Sequence, residues 1–127
     1  MRDMETPLKK VRGLGAAREG TGGFWRQRVS GVALAVLTPF VVGWIWSLKG
    51  VGFAEVRASL AHPLVAIAMA LFIVISLDHM RLGMKEIIED YAHSQGNRLG
   101  LSILNTFFTV AIGGICLFAL AKLAFGG

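Results

Sequence analysis

Asp78-His79-Met80-Arg81-Leu82-Gly83-Met84-Lys85-Glu86-Ile87-Ile88-Glu89-Asp90-Tyr91 begins inside an apolar helix and ends in a charged one, after a run, 63–77, that carries no charge. An ionisable side chain at hydrocarbon depth is costly, so it must be paired, bound to something or near the interface, and His79 is a functional candidate on that ground. At about 100° per residue, Gly83, Glu86 and Asp90 fall within about 40° of His79 on one helical face. That face carries one potential metal ligand, one position without a side chain and two carboxylates.

The rest of the chain defines the solvent of that helix. Hydrophobic residues make up 54% and charged residues 17% of the 127 positions, and the mean hydropathy is +0.62. This is more apolar and less charged than globular usage, and it marks a membrane protein. Long apolar stretches at 29–48, 63–82 and 101–125 each approach or exceed the length of about 20 residues that a spanning helix needs. The second reaches it only by including Asp78, His79 and Arg81, and its helical pattern extends to Tyr91. The expected fold is therefore an all-α membrane protein with three transmembrane helices, part of a hetero-oligomeric helical bundle. Residues 1–23 form a flexible cytoplasmic tail and 24–127 the three-helix anchor.

Basic residues set the orientation. Arg2, Lys9, Lys10, Arg12, Arg18, Arg26 and Arg28 precede or open the first span, Lys49 and Arg57 lie in the first loop, and Arg81, Lys85 and Arg98 flank the second. By the positive-inside rule the N-terminus and the second loop are cytoplasmic. The net charge of +5 then reflects topology and contact with anionic membrane lipid. Nucleic-acid binding needs a folded basic surface that the spans leave no residues to build.

Several features have plain readings. Residues 1–23 contain five glycines and no apolar run, unlike a cleaved signal peptide or a soluble domain. Trp25, Trp44 and Trp46 suit the headgroup region at the two ends of the first span, and Pro39 should kink it. The small residues Gly31, Ala35, Ala66, Ala70, Gly113 and Gly114 allow close helix approach. Cys116, the single cysteine, excludes an internal disulfide and a multi-cysteine cluster. His62 and His93 read as solvated. Arg28 can mark the cytoplasmic boundary, and Asp90-Tyr91 an interfacial helix end. From the residues alone two readings of His79 stand open: a helix–helix hydrogen bond, or one axial ligand of a haem b completed by a second chain, with Gly83 making room for the macrocycle.

The motif His79-x3-Gly83-x6-Asp90-Tyr91, preceded by Phe24-Trp25-x-Gln27-Arg28-x-Ser30, resembles the hydrophobic membrane-anchor subunits of succinate dehydrogenase, the respiratory complex II, over nearly the whole chain. The resemblance implies roles. His79 is the axial haem b iron ligand from this chain, and the partner cytochrome b anchor subunit supplies the other. Tyr91 donates a hydrogen bond to a carbonyl oxygen of ubiquinone, Asp90 orients that site or assists proton delivery, and Arg28 pairs with a haem propionate. The expected partners are the flavoprotein, iron–sulfur and second anchor subunits, and succinate itself is bound elsewhere in the complex, so no catalytic residue for its oxidation is expected here. Asp78 has Arg81 or the partner subunit as a counter-charge. The alternatives are an anchor of a fumarate reductase or another b-type cytochrome complex, or a small oligomeric transporter or pore. The last needs polar residues along a path, which the first and third spans almost lack. The absence of an Arg-rich amphipathic leader points to a bacterial inner membrane over a mitochondrial one.

Overall fold

A computed structural model describes residues 6–11 and 20–126. Five helices follow in order: α1 (Pro7–Val11), α2 (Gly20–Ser47), α3 (Phe53–Ala61), α4 (Pro63–Tyr91) and α5 (Gln95–Phe125). Among the described residues there is no strand. Of the expected tail, residues 1–5 and 12–19 lie outside the described residues; the described part contains α1 and the start of α2.

Three helices, within Thr21–Ser47, Pro63–Tyr91 and Gln95–Phe125, are long and apolar enough to cross a bilayer, in agreement with the three spans read from sequence. Each is longer than its apolar stretch because the helix continues through flanking polar residues. α2 runs through Pro39, whose missing N–H leaves one carbonyl a turn earlier without its intrahelical donor. Trp25 and Trp46 stand about 31 Å apart along α2 at about 1.5 Å per residue, close to the hydrocarbon thickness. Both rings are exposed, as interfacial anchors require.

The first loop is not featureless. Gly50 adopts a φ of +80°, a left-handed conformation that glycine takes at no steric cost, and this turns the chain out of α2 into α3. Ser59 on α3 accepts a hydrogen bond of 2.8 Å from Trp44 Nε1, and Leu60 is buried. α4 then starts with Pro63 at its first turn, where a missing N–H costs nothing, and His62 Nδ1 accepts from the Leu64 N–H at 3.3 Å. Between α4 and α5 only residues 92–94 are non-helical. Arg98 Nε closes that corner by donating to the Ala92 carbonyl at 2.7 Å, and Ser94 caps α5 by accepting from the Asn97 N–H.

α4 is the central helix. It packs on α2 and on α5, while the backbones of α2 and α5 do not come close among the described residues. Paired positions run in opposite senses on both sides (Gln27 by Gly83 and Ser30 by His79 on one, Gly113 by Leu77 and Asn105 by Arg81 on the other), so both packings are antiparallel. Among the described residues few side chains are buried: Val41, Leu60, Ile88 and Ala92 among apolar residues, Ser30 and Thr109 among polar ones. In water such a surface would aggregate; in a bilayer, lipid tails and neighbouring helices solvate it.

Close approach of α4 and α5 depends on Gly113, where an added Cβ would stand 3.1 Å from Leu77 Cδ1. Gly113→Leu is expected to lower the stability of the purified protein by about 1–3 kcal/mol through overpacking, whereas Gly114→Ala, with nothing within 4 Å of the new Cβ, changes it little. Thermal unfolding in mild detergent measures both.

Candidate functional site

Asp78 and His79 of α4 are met from α2. Arg26 Nη2 donates to both carboxylate oxygens of Asp78, at 2.8 and 2.9 Å, and Arg81 donates to the same carboxylate at 3.3 Å from one turn further along α4. Asp78 is 28% exposed and Arg26 59%, so the pair sits at the edge of the bundle. Charge-assisted hydrogen bonds of this kind gain strength where water is scarce. The expected Arg81 partner is present; Arg26, read from sequence only as a topology marker, is the stronger one.

His79 is half-buried. Its Nδ1 lies 2.9 Å from Ser30 Oγ, and Ser30 Oγ is 3.0 Å from the Gln27 carbonyl oxygen on the preceding turn of α2. Two glycines bring the helices together there. A Cβ on Gly31 would lie 3.4 Å from His79 Cε1, and one on Gly83 would lie 3.4 Å from Gln27 Nε2. Gln27 Oε1 is buried without a hydrogen-bond partner among the described residues.

The expected single face of His79, Gly83, Glu86 and Asp90 divides. His79 and Gly83 press against α2, whereas Glu86 and Asp90 are exposed. Arg28 is not brought to His79. It lies about 160° round α2 from Ser30, exposed, with its guanidinium 4.6 Å from the centre of the Phe24 ring, a cation–π contact.

Tyr91 faces the other way. It lies about 120° from His79 round α4 and about 18 Å along it, and it lines an open apolar cavity of about 770 Å³ between the end of α4 and the start of α5. Ile88, Leu101 and Phe108 supply apolar wall, and His93, Asn97 and Asn105 polar points. The tyrosine is 76% exposed. Asp90, its neighbour in sequence, is not among the lining residues. His93, read as a solvated loop residue, is exposed but lines this cavity; its position depends on the three-residue corner after α4, which no spacing signal reveals. Asn105 also grips α4, donating to the Arg81 carbonyl at 2.9 Å. A polar contact between helices of this kind contributes to association within a bilayer.

Among the described residues no three His, Cys, Asp or Glu side chains converge as a metal site, and Cys116 is a free, half-buried thiol in α5. His79 is an isolated imidazole, one nitrogen of which is engaged by Ser30. Such a donor suits a metal group that takes one ligand per chain. The room left by the absent side chains is taken by the His79 ring at Gly31 and by Gln27 at Gly83, so the expectation that Gly83 makes room for a macrocycle is not what this packing shows.

A multi-pass helical membrane subunit, with ionisable residues gathered on its central helix and an open apolar cavity beside the end of that helix, is the class these features define. The chain belongs to the succinate dehydrogenase/fumarate reductase transmembrane subunit family, whose sequence model matches residues 2–114. It is similar to the succinate dehydrogenase hydrophobic membrane anchor subunit of Paracoccus denitrificans, 34% identical over 95% of this chain and 93% of the relative. It is also similar to the subunit of the same name from Rickettsia conorii, 28% identical over 85% of this chain and 86% of the relative. That from Rickettsia felis is 27% identical over 75% and 79%.

Removing the charge of Asp78 leaves two guanidiniums facing a neutral group. Asp78→Asn is expected to lower stability by about 2 kcal/mol, the scale of a hydrogen bond to a charged partner. By contrast, Lys85→Ala, which breaks the exposed Lys85–Glu89 pair at 3.6 Å, should change it by about 0.5 kcal/mol or less. Denaturation midpoints in one detergent decide between them.

Proposed function

We propose that the chain is the membrane anchor of a succinate:ubiquinone oxidoreductase, that it supplies one axial ligand to haem b, and that it forms one wall of the ubiquinone-reduction site. The observation that carries this reading is the pair of faces on α4, with an imidazole held on one by Ser30 and a tyrosine lining an apolar cavity on the other, within a family of anchor subunits. Names of the relatives favour succinate oxidation over fumarate reduction. The partners are then a flavoprotein, an iron–sulfur protein and a second anchor subunit with the other axial histidine. The location is a bacterial inner membrane with the N-terminus cytoplasmic, following the distribution of Lys and Arg.

The chain's own residues divide the work. His79 holds the haem iron through the ring nitrogen that Ser30 does not engage. When bound, the haem supplies a one-electron redox centre within the membrane. Arg28, whose guanidinium lies over the Phe24 ring on the side of α2 away from Ser30, is given no part in holding the haem. Tyr91 donates its hydroxyl hydrogen to a quinone carbonyl oxygen and so orients the ring. Reduction of a quinone to a quinol takes up two electrons and two protons, and the role assigned to Asp90, exposed at the same end of α4 though outside the cavity lining, is to pass protons from the aqueous side. A cavity of about 770 Å³ lies within the range of small-molecule sites.

Affinity purification from the native membrane should recover a flavoprotein, an iron–sulfur protein and a second small membrane protein, with b-type absorption in the dithionite-reduced minus oxidised spectrum. His79→Ala should abolish that absorption. Tyr91→Phe should lower succinate–quinone reductase activity about tenfold, one hydrogen bond's worth, and leave reduction of a soluble dye by succinate unchanged. Recovery of the chain alone, or as a haem-free homo-oligomer, would overturn the anchor reading and leave a small pore or transporter in its place.

A further inference from the structure

The contacts round His79 fix where its proton sits. Ser30 has one hydroxyl hydrogen and two neighbours, the Gln27 carbonyl oxygen at 3.0 Å and His79 Nδ1 at 2.9 Å. A carbonyl only accepts, whereas a neutral imidazole nitrogen either donates or accepts according to tautomer. If the hydroxyl hydrogen pointed to His79, two oxygens would face one another at 3.0 Å with no hydrogen between them. With the hydrogen on the Gln27 side, Oγ keeps its lone pairs for an Nδ1–H, and both contacts become hydrogen bonds. Ser30 is 8% exposed, so water is not at hand to make good a lost one.

We propose that Ser30 is a positioning residue that holds His79 as the Nδ1–H tautomer, leaving the Nε2 lone pair to bind a metal-containing group from outside the chain. The inference rests on the haem reading above and adds to it the residue that prepares the ligand. It also reconciles the two readings of His79 left open by the sequence, since one ring nitrogen makes the helix–helix hydrogen bond and the other remains for the iron. Gly31 belongs to the same device. Its missing side chain lets Cε1, the carbon between the two nitrogens, lie against the α2 backbone, so that the ring is fixed in direction as well as in tautomer. An oxygen accepting from Nδ1–H makes Nε2 more basic, and a more basic ligand favours the ferric over the ferrous state.

The test uses the assembled complex purified from native membranes, with Ser30→Ala, Ser30→Thr, Ser30→Cys and His79→Ala in this chain. It reads the haem-to-flavin ratio, the low-spin haem spectrum and the midpoint potential by redox titration. In Ser30→Ala the midpoint potential rises and haem is held about 10–100-fold less tightly, the usual effect of losing such an outer partner. Ser30→Thr, which keeps the hydroxyl, restores both. Should the alanine variant not assemble, Ser30→Cys, a similar shape with a weak acceptor, gives the same comparison. A potential and haem content unchanged from wild type in Ser30→Ala, or in Ser30→Cys in its place, overturn the role of Ser30 while the loss of haem in His79→Ala leaves the ligand reading standing. A full haem complement in His79→Ala overturns both.

Discussion

Asp78 and His79 are adjacent, and both must be satisfied within a helix that crosses hydrocarbon. A carboxylate or an imidazole near the end of such a span has to be paired or lie at the interface, and the neighbouring helix supplies the pairing. α2 supplies Arg26 for one and Ser30 for the other. Arg26 and Ser30 are one turn apart and project from nearly the same side of α2. A slip of one residue between the helices would turn that side away by about 100° and strand both groups. The register of α2 on α4 is therefore set by polar pairing, and Gly31 and Gly83 supply the closeness that the pairing requires. From the opposite side Asn105 reaches the α4 backbone, so the central helix is held on both flanks by polar grips amid otherwise apolar contact.

Much of this was legible in the sequence, for reasons that differ by element. The spans follow from length and hydropathy, which need no knowledge of tertiary contacts, and all three coincide with helices. Small residues indicated close approach, and at Gly31 and Gly113 it occurs; at Gly114 nothing lies near, because a helix position can face lipid as readily as a neighbour. Periodicity placed His79, Gly83, Glu86 and Asp90 on one face of α4. It could not say that the first two would be covered while the last two would stay open, since that depends on where α2 lies along α4.

Other features left no local signal. Arg26 joined a row of cations already explained by topology, so nothing distinguished it until a carboxylate 52 positions away met it in space. α3 is a short helix in a stretch too small for periodicity to register, and it depends on the turn at Gly50. Tyr91 and His93 meet at one cavity because the chain turns within residues 92–94, a property of loop geometry and capping. Asp90 and Tyr91, neighbours in the chain, diverge by about 100° as any helical neighbours do. The two share a level in the membrane but not a wall.

Arg26 and Asp78 also have an order in time. A chain is synthesised from its N-terminus, and a carboxylate within a span makes insertion of that span less favourable. When α4 leaves the ribosome, α2 with its guanidinium has already been made. The counter-charge comes from the same polypeptide, so the pair needs no other subunit. Asn105 comes later in the chain, and α5 adds its grip on the α4 backbone from the other flank. Synthesis and architecture share one order, in which the central helix comes second, between an earlier helix that pairs its carboxylate and a later one that grips its backbone.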